Sequence, residues 1–253
     1  MKKHIRLITP ITTKGFRKLD DVLPFERPDL EFSHTEIDSG PPSIECEFDE
    51  MLCVPDTVRK AMEAEREGVS AVVIDCMGDP GLKACREAVS IPVLGPAETS
   101  MHLAAALGER FSIVTVLDSV KPLFSNLARM YGVSDRLASI EVVNTPVLEI
   151  EKDPGSLHAK LAHASRRAVV EEDAHAIVLG CTGFFGCAEA IRRHLRQELG
   201  VSITVIDPIP LTVTVAAAVV DAGLSHSKKT YGTPATKRNV GYAMPAFWAG
   251  AGR

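Results

Sequence analysis

Two cysteines, Cys76 and Cys181, occupy matching positions in the two halves of the chain. The stretch Ala71–Gly78 (AVVIDCMG) aligns with Ala176–Gly183 (AIVLGCTG), and each is followed by a helix-like segment and a strand that ends in proline. Two acid/base groups on opposite sides of a carbon acid can invert it, because one removes a proton from one face and the other returns a proton to the opposite face. The pair therefore predicts proton transfer with both thiols as acid/base residues.

Thiols suit this chemistry when their pKa values lie near the working pH. Ligands of parallel α/β sheets bind beyond the carboxyl ends of the strands, where Cys76 and Cys181 are predicted to lie. A helix is predicted after each cysteine, and the positive end of its dipole is expected to lower the thiol pKa from ~8.5 toward neutrality. Gly78 and Gly183 let the turns bring backbone N–H groups toward a ligand, where they are expected to act like an oxyanion hole.

A lone free cysteine usually behaves as a small buried hydrophobe, so the matching contexts of the pair are what favour chemistry. The other four cysteines lack such counterparts and are assigned to packing: Cys46, Cys53, Cys85 and Cys187. The sequence has no C-x-x-C pair and no histidines spaced i, i+4, and it has neither a P-loop nor a dinucleotide fingerprint. We therefore expect an enzyme without metal or organic cofactor.

Strand-like and helix-like segments alternate along the chain. The predicted strands are Ile5–Thr9, Leu30–Ile37, Ala71–Asp75, Ile91–Leu94, Phe111–Val116, Ile140–Val143, Ala176–Gly180 and Ile203–Ile206. The predicted helices include Asp56–Glu67, Gly81–Val89, Glu98–Leu107, Ser156–Glu172 and Ala188–Leu199. This alternation predicts two pseudo-symmetric α/β lobes, each a doubly wound parallel sheet, with the active site in the cleft between them. The first lobe is predicted to comprise residues 1–97 plus 209–253, and the second residues 98–208.

The composition is that of an ordinary globular protein, with 45% hydrophobic and 24% charged residues. The formal net charge of -5 disfavours a nucleic-acid partner, and the cluster of Lys228, Lys229, Lys237 and Arg238 is interpreted as solvated. The amino terminus lacks the apolar stretch of a secretory signal, and the longest apolar run, Leu211–Val220, is too short to cross a bilayer. We expect a cytoplasmic homo-oligomer that binds a small molecule and neither nucleic acid nor membrane. The aromatic tail residues Tyr242, Phe247 and Trp248 are expected to pack on the first lobe or on a neighbouring subunit.

The regions around both cysteines resemble those of hydantoin racemases, within the aspartate/glutamate racemase superfamily. Ala71–Leu82 with Ser90–Gly95 resembles the first cysteine region of that family, and Ile177–Gly183 resembles the second. Further similar segments are Gly40–Glu45, Asp49–Glu50, Arg110–Thr115 and Ser227–Tyr231. The resemblance implies a racemase that needs neither metal nor pyridoxal phosphate and that has one catalytic cysteine per lobe. Arylmalonate decarboxylases of the superfamily keep only one of these cysteines, so the presence of both favours racemisation.

The first strand departs from the family pattern. There it usually ends in Asn-Pro-Asn-Thr, whereas here the residues are Thr9, Pro10, Ile11 and Thr12. The pocket is therefore expected to accept a more apolar group or a different substrate. The residues predicted to contact substrate are Pro10, Ile11, Thr12, Met77, Gly78, Glu98, Thr115, Thr182 and Gly183, of which Glu98 rests on the resemblance alone. The Thr182 hydroxyl is expected to face a substrate carbonyl.

Three acidic features are interpreted structurally. Asp75 is interpreted as a hydrogen-bonded turn residue in preference to a residue that tunes Cys76. Asp79 is expected to cap the helix that follows it. The acidic run formed by Glu45, Glu47, Asp49 and Glu50 is interpreted as a solvated helix start.

The leading hypothesis is racemisation of a 5-substituted hydantoin or a related cyclic ureide such as allantoin. A racemase for a free amino acid of the aspartate/glutamate type is the alternative within the same chemistry. A cysteine hydrolase is a further alternative, which would need a His or Lys beside one thiol. A non-catalytic small-molecule binding protein on the same scaffold is the last.

Overall fold

Two four-stranded parallel sheets form the framework of the computed structural model, which describes residues 2–235, 237, 241 and 242. The first sheet contains β1 (Lys3–Thr9), β2 (Leu30–Glu36), β3 (Ala71–Ile74) and β4 (Val93–Leu94) in the order β2-β1-β3-β4. The second contains β5 (Phe111–Thr115), β6 (Leu137–Val142), β7 (Ala176–Leu179) and β8 (Thr204–Ile206) in the order β6-β5-β7-β8. The strand order is the same in both sheets, so the predicted two-lobe α/β fold is confirmed.

The strands β3 and β7 are central in their sheets and hold equivalent places. Every residue of both strands is buried, because helices cover both faces of each sheet. Their unbroken apolar runs are typical of parallel strands that are buried on two sides. Cys76 and Cys181 each follow one of these strands by two residues, so both thiols lie at carboxyl ends of central strands.

Seven α-helices lie in the part of the chain that the structure describes. They are α1 (Glu47–Arg66), α2 (Leu82–Ala88), α3 (Pro96–Leu107), α4 (Lys121–Met130), α5 (Pro154–Val170), α6 (Ala188–Leu199) and α7 (Pro208–Asp221). The helices α1 and α2 pack on the first sheet, and α5 and α6 pack on the second.

Two helices cross from one sheet to the other. The helix α3 leaves the last strand of the first sheet and packs on β5, β7 and β8 of the second. The helix α7 leaves the last strand of the second sheet and packs on β1, β3 and β4 of the first. These two helices also pack against each other, so the two lobes share one continuous layer.

Three helices differ from the sequence prediction. The helix α1 begins at Glu47 instead of Asp56, because it continues through Pro55, a residue that usually marks a helix start or break. The helix α4 was not predicted. In α7 the Thr- and Val-rich sequence favours strand, but its buried residues recur with helical spacing: Ile209, Thr212, Val213, Ala216 and Ala217.

The segment after α7 packs on the edge of the first lobe. The Lys228 ammonium donates to the carbonyl oxygens of Arg86 (2.9 Å) and Glu87 (3.1 Å) at the end of α2, so it is not the solvated charge that the sequence suggested. The His226 ring lies against the backbone of Val93. Phe247 and Trp248 lie outside the described residues, whereas Tyr242 is exposed. Within the described residues, no helix is long and apolar enough to cross a membrane.

Candidate active site

Cys76 and Cys181 border one small cavity of about 50 Å³ between the two sheets. Most of its lining is apolar: Pro10, Ile11, Phe16, Ile44, Met77, Val116, Val120, Leu123, Phe124 and Val147. Thr9, Asp75, Gly78, Thr115, Gly180 and Thr182 complete the wall. Among these described lining residues there is no Lys, Arg or His. The two thiols therefore face a site that is mainly apolar and that both lobes build.

Each sulfur accepts a hydrogen bond from the backbone N–H two residues further along. The Gly78 N–H donates to Cys76 Sγ, and the Gly183 N–H donates to Cys181 Sγ, both at 3.4 Å. Such a bond favours the thiolate over the thiol. The two N–H groups were expected to act on a substrate oxyanion, but in this structure they are directed at the sulfurs.

Burial dominates the acidity of both thiols. It raises the pKa of Cys76 well above the ordinary thiol value and that of Cys181 to about 12, against the opposing effect of the two glycine N–H groups. The expected lowering by a helix dipole is wrong, because α2 begins only at Leu82 and Cys181 is followed by a short 3-10 turn, Thr182–Phe184. Burial therefore favours the neutral thiol at both positions, and one sulfur must lose its proton before it can act as a base.

Asp75 is part of a buried ion pair and is not a simple turn residue. Arg17 donates from Nε to Asp75 Oδ2 (2.9 Å) and from Nη2 to Asp75 Oδ1 (3.0 Å). Burial alone would raise the pKa of Asp75, but the adjacent guanidinium holds it below its usual value. The Arg17 Nη2 group also donates to the Thr182 carbonyl oxygen at 2.9 Å. Sequence reasoning missed Arg17, because it lies in the loop between β1 and β2 and no local pattern links it to either cysteine.

Two threonine hydroxyls in the cavity wall donate to protein carbonyl groups. Thr115 Oγ1 donates to the Gly180 oxygen at 3.0 Å, and Thr182 Oγ1 donates to the Asp75 oxygen at 3.3 Å. The expectation that Thr182 offers its hydroxyl proton to a substrate carbonyl therefore does not hold in this structure. The two residues shape the wall and fix the backbone next to the cysteines.

Six of the nine predicted contact residues line the cavity: Pro10, Ile11, Met77, Gly78, Thr115 and Thr182. The other three do not. Thr12 Oγ1 donates to the Pro41 carbonyl at 3.1 Å. Gly183 is packed so tightly that an added Cβ would lie 2.9 Å from both Phe16 and Ile150. Glu98 lies on α3 and forms an ion pair with the buried Arg86, away from the cavity.

Asp79 caps a helix other than the one expected. Its carboxylate accepts the N–H groups of Ala97 (3.0 Å) and Glu98 (2.8 Å), which begin α3, and the Tyr131 hydroxyl (2.7 Å). The residue adopts a positive φ of 49°, and Gly95 leaves room for it, since a Cβ there would lie 2.4 Å from Asp79 Cγ. Burial raises the pKa of Asp79 to about 7 despite these donors.

Three members of the acidic run are not simply solvated. Glu45 Oε1 accepts the Val147 N–H at 2.7 Å, and Asp49 Oδ2 accepts the Glu45 N–H at 3.0 Å. Glu50 turns toward the Cys76 loop, where its Oε2 is buried without a hydrogen-bond partner among the described residues and approaches Gly78. Burial, with Asp79 and Glu47 as further contributors, raises the pKa of Glu50 to about 7. Glu47 remains exposed at the start of α1, as expected. Glu50 is therefore a neighbour of the candidate site. It was not recognised in the sequence because the whole acidic run was interpreted as solvated.

Three of the four remaining cysteines are buried, as their assignment to packing predicted: Cys53, Cys85 and Cys187. Cys46 differs, because it is only partly buried and its thiol donates to Asp49 Oδ2 at 3.2 Å just before α1. In the part of the chain that the structure describes, no three His, Cys, Asp or Glu side chains converge as a metal site would require.

The fold and the paired cysteines agree with a match to a family model. The model described as Asp/Glu/Hydantoin racemase matches residues 5–216. The chain belongs to this racemase family, which supports an isomerase as its enzyme class. It is similar to a hydantoin racemase of Pseudomonas sp. (strain NS671), with 40% identity over 240 residues and 94% of each chain covered.

Solved structures of two racemases are also similar. An allantoin racemase from Klebsiella pneumoniae is 31% identical with a TM-score of 0.88, and the match covers 95% of this chain and 97% of that one. An allantoin racemase from Pseudomonas fluorescens is 29% identical with a TM-score of 0.86, and the match covers 94% of this chain and 100% of that one.

Proposed function

We propose that this protein is a cofactor-independent racemase that inverts the acidic stereocentre of a 5-substituted hydantoin or a related cyclic ureide such as allantoin. Cys76 and Cys181 serve as its two acid/base residues. The observation that carries the proposal is that the two sulfurs border one cavity from equivalent strand ends of the two sheets. This arrangement supports access to opposite faces of one substrate carbon.

The reaction needs one thiolate and one thiol. The thiolate removes the proton from the substrate carbon, and the electron pair left behind spreads onto the adjacent carbonyl oxygen. The opposite thiol then delivers its own proton to the other face and becomes the thiolate. The two cysteines have exchanged protonation states, so this form of the enzyme acts on the opposite enantiomer. Proton exchange of the thiols with solvent restores the starting form. The N–H groups of Gly78 and Gly183 stabilise whichever sulfur is ionised.

The apolar wall favours a neutral ring over a free amino acid. An amino acid carries a carboxylate and an ammonium group, and burying such charges without partners is costly. The described lining residues include no Lys, Arg or His, and their one carboxylate, Asp75, is paired with Arg17. A hydantoin ring brings no full charge into this site. The names of the similar racemases, which act on hydantoin or allantoin, support the same substrate class.

A cysteine hydrolase is less well supported. Such an enzyme needs a general base beside its nucleophile, most often a His. The cavity wall holds two thiols at equivalent positions and, among the described residues that line it, no His or Lys. Two thiols without a conventional base are better suited to removing and returning a proton at a substrate carbon than to acyl transfer.

The test is racemisation in D₂O with both enantiomers of several 5-substituted hydantoins, allantoin, aspartate and glutamate. Wild-type enzyme is expected to racemise a cyclic ureide and to place deuterium on the chiral carbon. Cys76→Ser and Cys181→Ser should each lower racemisation by at least about 10²–10⁴-fold, since a hydroxyl replaces an ionisable thiol. Each variant is expected to retain proton exchange with one enantiomer only.

Cys187→Ser is the matched control, because Cys187 is buried but does not line the cavity. It should keep near wild-type racemisation. Release of a ring-opened product would indicate a hydrolase, and binding without isotope exchange would indicate a binding protein. Full racemisation by both Cys76→Ser and Cys181→Ser would overturn the two-thiol mechanism.

A further inference from the structure

Arg17 connects the two turns that carry the cysteines. Two of its N–H groups bind the carboxylate of Asp75, the residue directly before Cys76. The same Nη2 also donates to the carbonyl oxygen of Thr182, the residue directly after Cys181, at 2.9 Å. One guanidinium therefore binds the side chain of the residue before Cys76 and the backbone of the residue after Cys181. It links the cysteine turn of the first sheet to that of the second.

This link is rigid and shielded from water. Arg17 is 4% exposed and Asp75 is 2% exposed. Arg17 Nη1 donates to Asp21 at 2.8 Å, and the guanidinium lies 5.2 Å from the centre of the Phe185 ring. A second bond joins the same two turns, from the Thr182 hydroxyl to the Asp75 carbonyl at 3.3 Å. A planar guanidinium with bonds on all three nitrogens has one orientation available.

We propose that Arg17 is a positioning residue that sets the separation and alignment of Cys76 and Cys181 across the cleft. The inference rests on the proposed two-thiol racemisation. Arg17 does not itself line the cavity, so it acts through the two turns. Its guanidinium is too basic to exchange protons, because the buried Asp75 raises the pKa of Arg17 further although burial alone would lower it.

Racemisation and one-sided exchange depend differently on this alignment. Removal and return of a proton on one face need one sulfur in reach of the substrate carbon. Inversion needs both sulfurs in reach of that carbon at once, from opposite faces. Displacement of a reacting group by about 1 Å can cost about 10²-fold in rate. Loosening the link should therefore reduce racemisation more than it reduces exchange.

Arg17→Lys is the main test variant. Lysine keeps the positive charge beside Asp75, but a single ammonium cannot reproduce the fork that binds two carboxylate oxygens and the Thr182 carbonyl together. Its ratio of racemisation rate to single-enantiomer deuterium exchange is expected to fall by about 10–100-fold. A general loss of folded enzyme would lower both rates equally and leave this ratio unchanged.

Arg86→Lys is the matched control. Arg86 is 5% exposed, forms an ion pair with Glu98 and donates to the Val93 carbonyl at 3.1 Å, but it touches neither cysteine turn. It should keep the wild-type ratio even if the protein becomes less stable. An Arg17→Lys enzyme with the wild-type ratio, or an equal fall in Arg86→Lys, would overturn the positioning role.

A second variant removes the pair without leaving a buried charge. Replacing both partners of a buried ion pair with apolar residues is often neutral for stability, whereas removing one is not. The double variant Arg17→Met/Asp75→Leu is therefore expected to fold and to show the same selective loss of racemisation. A folded double variant with the wild-type ratio would contradict the proposal.

A readout that needs no turnover separates this inference from the proposed function. Bifunctional thiol reagents of graded length should join Cys76 to Cys181, with the product identified by peptide mass. Wild type and Arg86→Lys should prefer the same reagent length. Arg17→Lys should show no such preference, and its yield of cross-linked product should be several-fold lower. Equal results for all three enzymes, or no cross-link in wild type, would overturn the positioning role. Absence of isotope exchange in wild type would instead count against the proposed function.

Discussion

The two cysteine turns share a backbone plan but differ in the residue that precedes each thiol. In the first sheet the register pairs Ile8 with Ile74, and in the second it pairs Val114 with Leu179. The next residues are therefore equivalent: Thr9 with Thr115, and Asp75 with Gly180. Both threonine hydroxyls donate to their neighbour. The Thr9 hydroxyl reaches the Asp75 carboxylate at 2.8 Å, whereas the Thr115 hydroxyl reaches the Gly180 carbonyl at 3.0 Å.

Packing explains why the second turn has a glycine. A Cβ at Gly180 would lie 2.7 Å from Ile113 Cγ2 and 2.8 Å from Thr115 Cβ, too close for any side chain. The first turn has room for Asp75, whose negative charge is matched by Arg17 from the same lobe. The repeat has thus preserved strand order, thiol position and hydroxyl position, but not charge. The two thiols should be unequal in acidity, because Glu50 lies near Cys76 and the Arg17–Asp75 pair lies near Cys181.

The largest expected effect comes from making the first turn like the second with Asp75→Gly. This change removes the buried carboxylate from the Arg17 guanidinium and leaves it only the partly exposed Asp21. Breaking a buried pair costs about 3–5 kcal/mol, and the remaining Asp21 bond places the expected loss toward the lower end. Urea unfolding at neutral pH measures the loss. The control is Asp221→Ala, which breaks solvent-exposed pairs with Lys3 and Arg27 and should change the unfolding free energy far less. A loss from Asp75→Gly no larger than that of the control would mean that the pair does not hold the turn.

A smaller effect should distinguish the two threonines. Thr9→Val removes a hydroxyl that donates to a charged carboxylate, and such bonds contribute about 1.5–3 kcal/mol. Thr115→Val removes a bond to a neutral carbonyl, for which about 0.5–1.5 kcal/mol is typical. Valine keeps the shape of threonine, so the two variants compare the hydrogen bonds of the two hydroxyls. For Thr9 these include a contact with His34 Nε2 at 2.9 Å, whose loss adds to that of the Asp75 bond. Equal losses in unfolding free energy would show that the charge difference between the turns has no energetic consequence.

The smallest effect concerns Glu50 and pH. Its pKa is about 7 in the folded protein, against ~4.3 in an unfolded chain. Between these values the folded state binds more protons, so this group makes stability fall as pH rises and has no further effect above about pH 7. Glu50→Gln should match wild type near pH 4 and exceed its unfolding free energy by on the order of 1 kcal/mol at pH 8, after allowance for partial exposure. A difference that is constant from pH 4 to pH 8 would contradict the raised pKa.

Local patterns in the sequence predicted most of the fold. All eight strands were found. The central strands β3 and β7 have unbroken apolar runs because strands buried on both faces need them. The matching contexts of Cys76 and Cys181 placed both at strand ends, where they lie in the structure. The helix α7 was missed because its Thr and Val residues favour a strand. It is a helix because packing of one face against the rest of the protein stabilises that conformation.

The charged part of the candidate site could not be predicted in the same way. Arg17 lies 58 residues from Asp75 along the chain, and the partnership exists only because β1 and β3 are neighbours. Asp79 caps α3, whose first N–H groups are 18 and 19 residues further along. The burial of Glu50 depends on which way the first turn of α1 faces. Each of these contacts joins elements distant in sequence, about which composition and periodicity carry no information.

The crossing of α3 and α7 also affects how the molecule can come apart. Each sheet has one face covered by a helix that directly follows the last strand of the other sheet. A single half, folded alone, would expose an apolar sheet face and carry an unpaired apolar helix. Two identical halves could cover their exposed sheet faces only by exchanging these helices, as in a domain-swapped dimer. The present chain joins both halves covalently, so the exchange happens within one molecule, and neither lobe should melt independently of the other.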